Sequence, residues 1–438
     1  MPSSPDALPP RLVVADQHAG AVRVLDLPSG STAGSTAGQP VGDQAGKQAG
    51  KTVGGLDGVH LSEHAGFLAL PGGRTAFVDD RAGELIVLDP YGPERGRPLV
   101  AASAPVATPA EHLAADPSGR LVVVTTGLGR NELPWSEVTT VVDLGAAGGP
   151  RAVRVRTRAG EPGAVVVPGD GEDPLEGWVV LRHREPGAFT VHRSRELLAA
   201  GPGCPPAPLH HELPLSDDDG HGDAYDPVGG RLFAAAGSGV HRARRTRVGL
   251  VAEPALSWQG RGRGYFLRFD AARRTLWSCV RGGPADPARW PEWTNCAWWH
   301  RPDQGRTGRL PLGPGLVFRF AVAARHLAFA RVHPDGDELV LVDAETVEIT
   351  GRIPLPAMAG RPRAGDTPWD GAQRRAIAAS PAHDLVAVSR GGHGEIQLVD
   401  AAAGASLGTL TVSTPLDDGG RLALVSPGDG AERDTVGR

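Results

Sequence analysis

The chain has 438 residues, 61 glycines, 40 prolines and a formal net charge of -5. Its basic residues are scattered rather than clustered, which excludes an electrostatic footprint for nucleic acid or an anionic membrane surface, and no apolar run is long enough to span a bilayer. Three cysteines and an N-terminus without a basic, apolar leader point to a reducing, cytoplasmic setting.

Taken in order, the first strands are Arg11 to Asp16 and Ala21 to Leu27, with no inner strand ahead of them. Pro28 to Gly55 is low in complexity and lacks an apolar period, so it is expected to be a disordered loop. The second sheet runs from Gly66 through Pro71-Gly72-Gly73 to Ala101. The third, Glu111 to Leu144, shows the pattern most clearly: an apolar run, the turn Asp116-Pro117-Ser118-Gly119, a β-branched run from Arg120 to Thr126, a loop, and a strand closing on Val-Asp-Leu. Pro presets φ in such a turn and Gly accepts a positive φ.

The same grammar recurs downstream. The fourth sheet begins at Ala164 to Val167, and the fifth carries the turn Asp226-Pro227-Val228-Gly229. The sixth gathers Trp277, Trp290, Trp293, Trp298 and Trp299; the seventh starts at Val317, and the eighth turns at Ser380-Pro381. Packing between neighbouring sheets is the expected use of these tryptophans, and Trp298 and Trp299 must face opposite sides of their strand. Arg421 to Val425 then stands alone and supplies the inner strand that the first sheet lacks. The reading is an all-β propeller, a single domain over residues 1–438, with eight four-stranded blades favoured over seven and a first blade shared by both termini, which removes an open edge. Over essentially the whole chain the tandem pattern resembles the bacterial YVTN and quinoprotein-like propeller superfamily.

Residues entering the innermost strands converge on the central channel. Aligned on the turn prolines, positions five to seven residues upstream hold His64, Glu111, His112, His221, Arg374 and Arg375, with His60, Asp223, Arg261 and Arg263 near the same level. Imidazoles from separate blades with a carboxylate suit Zn²⁺, so His64, Glu111, His112 and His221 form a candidate metal set; polar rim residues satisfied by water are the plain alternative. A second cluster, Cys204 to Asp223, carries His210, His211, Glu212, Asp217, Asp218, Asp219 and His221. It reads as a metal-collecting arm or as a solvated acidic loop.

The phrases RLVVADQHAGAVRVLDLPSG, EHLAADPSGRLVVV and CPPAPLHHEL leading into HGDAYDPVGGRLFAAAGSGV resemble the periplasmic zinc-chaperone propellers that deliver metal to a transporter's binding protein. That resemblance implies His112 and His221 as metal ligands in the channel mouth. An enzyme of lactonase, cycloisomerase or lyase type would use the rim differently: Glu111, His112 or His221 as acid or base, with Arg263, Arg374 or Arg375 anchoring a carboxylate. A third class is a protein-interaction scaffold without a cofactor. The expectation carried forward is a soluble binding propeller whose ligand is a divalent metal or a small carboxylate.

Overall fold

The computed structural model describes residues 8–28, 47–92, 99–171 and 173–427. Its strands form eight antiparallel sheets in succession, each opening with an innermost strand and ending with an outermost one. Blade 1 has the order Arg421–Val425, Arg11–Asp16, Ala21–Asp26, Lys51–Asp57. Leu12 pairs with Leu424 and Val14 with Leu422, so the last described strand of the chain does complete the first sheet. The seam is pinned by side chains as well: Tyr91 Oη donates to the Val425 carbonyl at 2.9 Å, and the Leu416 amide donates to Asp16 at 3.0 Å.

Eight wedges of apolar side chains separate the eight blades. Leu12, Leu25, Leu385 and Leu398 fill the wedge between blades 8 and 1; Leu121, Val123, Val166 and Leu181 fill that between blades 3 and 4. Strands such as Leu121–Thr126, Trp178–His183 and Leu385–Arg390 thus offer one buried face to each neighbour. Each fully buried Leu or Val contributes about 1.5–3 kcal/mol. The tryptophans belong to this packing: Trp277 joins the wedge toward blade 7, while Trp258 and Trp298 join that toward blade 5. Trp299 does face the other side from Trp298.

One expectation needs adjustment. Of the segment expected to lack structure, residues 29–46 lie outside the described residues, but Lys47–Ala49 is a parallel fifth strand on blade 8 and Lys51–Asp57 is the outer strand of blade 1. The chain there satisfies its backbone groups on existing sheet edges, so its polar composition does not prevent pairing. Cys279 and Cys296 sit on adjacent strands, where Cys296 pairs with Val280 and Cys279 with Ala297, so their side chains point to opposite faces. All three cysteines are free thiols, and burial pushes the Cys279 thiol up to about 12.

Candidate functional site: a cationic channel

The innermost strands surround a cavity of about 450 Å³, within the range of small-ligand sites. Blade 4 contributes Arg182 and Arg184, blade 6 Arg268, blade 7 Arg319, blade 8 Arg374, blade 1 Arg421 and blade 2 Arg74. Against these seven guanidinium groups the lining holds two carboxylates, Glu63 and Glu161. The whole chain is net negative, so positive charge is concentrated where the walls exclude water and focus the field.

The wall from blades 2 to 5 is tied into hydrogen bonds. His64 Nδ1 lies 2.7 Å from Glu111 Oε2, with Glu111 buried and His64 half exposed. Arg184 pairs with Glu161, donates to the Gly220 carbonyl at 2.6 Å and contacts the His221 ring. Arg182, fully buried, donates to the carbonyls of Gly220 and His221 at 2.9 and 2.6 Å. Next to it, Asp223 is fully buried and its Oδ1 accepts no hydrogen bond; burial raises its carboxyl to about 6 even though Arg182 pulls the other way.

The wall from blades 6 to 8 is built differently. Here guanidinium groups lie over aromatic rings: Arg268 over Phe320 at 5.6 Å, Arg374 over Phe318 at 5.3 Å, and Arg263 and Arg281 over Tyr265 at 4.6 and 4.9 Å. Arg281 also covers Trp293 at 4.4 Å, and Trp293 stacks on Trp369 at 6.0 Å between centroids. These last two residues come from the long connections that follow strand Thr275–Gly282 and precede Ile377–Ala379. Both connections sit on the face where inner strands begin, and they pack there through Trp290, Trp293 and Met358.

Irregular pairing creates this lining. In blade 7, Val317 pairs with Arg331 and Phe320 with Phe329, which leaves one extra residue at Phe318-Arg319. In blade 6, Gly264 pairs with Val280 and Arg268 with Trp277, again one residue too many on the inner strand. Blade 3 does the same at Glu111, between Ala110 opposite Thr126 and His112 opposite Thr125. Bulges re-aim side chains, and Phe318, Arg319 and Phe320 consequently all line the cavity.

Of the sequence candidates, His64, His112, His221 and Arg374 line the channel, and Glu111 stands behind His64. Arg263 is at the rim, paired with Asp219 at 3.0 Å. Arg375 is not a ligand anchor: it is buried, with both Nε and a terminal nitrogen on Asp337 Oδ2 at 2.9 and 2.7 Å, because in the segment ahead of strand Ile377–Ala379 its side chain leaves the opposite side of the chain from Arg374. His60 contacts Arg81 outside the lining. The acidic connection before blade 5 is committed to structure: Glu212 to Arg158, Asp217 to Ser238 and His241, Asp218 to the Gly187 amide, Asp219 to Arg263. Among the described residues no three His, Cys, Asp or Glu side chains gather around one point.

No protein-family model and no curated protein matches the chain. Solved structures do match. Apo AztD from Citrobacter koseri is 14% identical with a TM-score of 0.62, covering 96% of this chain and 98% of its own. The likeness is to the fold. The dihydro-heme d1 dehydrogenase NirN in complex with DHE is also 14% identical, with a TM-score of 0.54 over 96% of this chain and 78% of its own. A protein of unknown function from Desulfotomaculum acetoxidans DSM 771 aligns at 10% identity and a TM-score of 0.50, over 78% of this chain and 95% of its own. An all-β eight-bladed propeller like AztD is what these comparisons establish.

Arg182, Arg184, Arg268, Arg319 and Arg421 escape a search keyed to turn prolines. Blades 6 and 7 turn instead at Ala271-Ala272-Arg273 and Ala323-Ala324-Arg325, so they drop out of that alignment. The available signal was compositional, an arginine set among aromatic residues in Tyr265-Phe266-Leu267-Arg268 and Phe318-Arg319-Phe320.

Proposed function

We propose that the protein is a binding propeller whose channel captures a small organic anion through carboxylate groups. The observation carrying this is the seven arginines set against two glutamates in one enclosed channel of an acidic chain. Arginine presents a planar fork that matches a carboxylate with two parallel hydrogen bonds. Arg374 is the anchor of choice: its guanidinium lies over the Phe318 ring, and it makes no ion pair with a carboxylate among the described residues. Calorimetric titration with citrate and with benzene-1,2,4,5-tetracarboxylate at low ionic strength is expected to show one site, weakening with salt. Arg374→Gln is expected to weaken binding about tenfold, equal to about 1.4 kcal/mol. Absence of binding by either anion would overturn the reading.

A divalent metal carried as cargo is the second reading. The His64–Glu111 pair has the form of a carboxylate-oriented imidazole, His112 and His221 line the same channel, and the sequence phrases around them resemble the zinc-chaperone propellers. The donors do not close around one point, and the guanidinium groups oppose a dication. Elemental analysis separates the two readings: near-stoichiometric zinc, lost in the His112→Ala, His221→Ala double variant, would establish the metal and displace the anion.

A further inference from the structure

Resting on the anion-binding reading, we infer that the anion carries its carboxylates on a flat, conjugated ring system, and that blades 6 and 7 are shaped to hold it. The two bulged inner strands are neighbours, and both bulges place an arginine among aromatic rings: Arg268 follows Tyr265 and Phe266, and Arg319 lies between Phe318 and Phe320. A regular strand would send alternate side chains of each triplet into the wedges between blades. An extra residue in each strand leaves Tyr265, Phe266 and Phe318 half-buried along the cavity beside the arginines, while Phe320 stays buried in the wedge between blades 6 and 7 and supports Arg268 from behind.

The guanidinium groups on this side lie on rings. A stacked guanidinium still donates from its edge, so it receives a carboxylate without leaving its ring, and the ligand's own flat face extends the stack. Offset and edge-on arrangements between rings contribute about 0.5–1.5 kcal/mol each beyond burial. The facing wall fits a flat body too. Ala69, Ala378 and Ala423 line it from blades 2, 8 and 1, giving width without polar demand. An aliphatic polycarboxylate would satisfy the arginines and leave these apolar surfaces unused.

The test compares two anions of equal charge against the full-length protein: benzene-1,2,4,5-tetracarboxylate and butane-1,2,3,4-tetracarboxylate. The aromatic anion is expected to bind at least about tenfold more tightly. Phe318→Leu is expected to reduce that ratio toward one, whereas Arg374→Gln is expected to weaken both anions alike. Tyr265→Leu serves as a second variant should Phe318→Leu fail to give a cooperative unfolding transition. Equal affinities in the wild-type protein would overturn the flat-ring inference and leave anion binding standing; no binding of either would remove both. A preference that survives in both aromatic variants would overturn the assignment to blades 6 and 7.

Discussion

Asp223 occupies the first position of the inner strand of blade 5, and its carboxyl is enclosed between Gly163 and the Arg182 guanidinium. Burial raises its pKa from 3.8 to about 6 against the pull of Arg182. A group whose pKa is raised on folding favours the folded state while protonated, below the unfolded value, and that contribution is lost as pH rises through the folded value. Between about pH 4 and 6 the chain therefore loses stability at this site, by up to about 3 kcal/mol at 1.36 kcal/mol per unit. Asp223→Asn is expected to raise the denaturant midpoint at pH 8 and leave it almost unchanged at pH 4. A lower midpoint at pH 8 would show that the ionised carboxylate has a stabilising partner. Arg374 and Arg375 make the same point about single positions: adjacent in sequence and alike in type, one faces the channel and the other is sealed against Asp337. Arg375→Ala, which strands a buried carboxylate, is expected to cost about 3–5 kcal/mol of stability by chemical denaturation. Sequence spacing identified both as channel candidates because a one-residue step reverses the face, and which of the two faces inward depends on pairing.

Strands were legible where an apolar run was unbroken. Leu121–Thr126, Trp178–His183 and Leu385–Arg390 lie where β-branched and apolar runs follow a turn signal. They are buried on both faces, so a continuous apolar run identified them. The inner strands of blades 3, 6 and 7 were legible as strands but not as bulges, because the extra residue is visible only against a partner. The candidate site suffered accordingly: histidines upstream of turn prolines were found, and arginines displayed by bulges were not. Strand Arg421–Val425 is the clearest case of one element acting at a distance. It covers the edge of Arg11–Asp16 and brings Arg421 to the channel. Removing residues 421–438 is expected to expose that edge, broaden the thermal transition and produce concentration-dependent association in sedimentation, since an unpaired strand edge recruits other chains. A truncated protein that stays monomeric and melts as sharply as the parent would argue against closure as the stabilising device.

At the scale of the whole molecule, the number of blades followed from counting turns, and the eight apolar wedges match the eight sheets. The charge distribution did not follow from the sequence, because arginines spaced from Arg74 to Arg421 look scattered until the ring brings them to one axis. The closing strand has a further consequence in time. A ribosome makes Arg11–Asp16 early and Arg421–Val425 late, so the first sheet waits, three-stranded, while the others form beside it. The channel's wall is therefore finished only once Arg421–Val425 has been made, and a growing chain with every other blade in place has no enclosed axis to offer. Under the proposed anion binding, ligand supply bears on the closed ring alone, and a bound anion would report that Arg421–Val425 has paired.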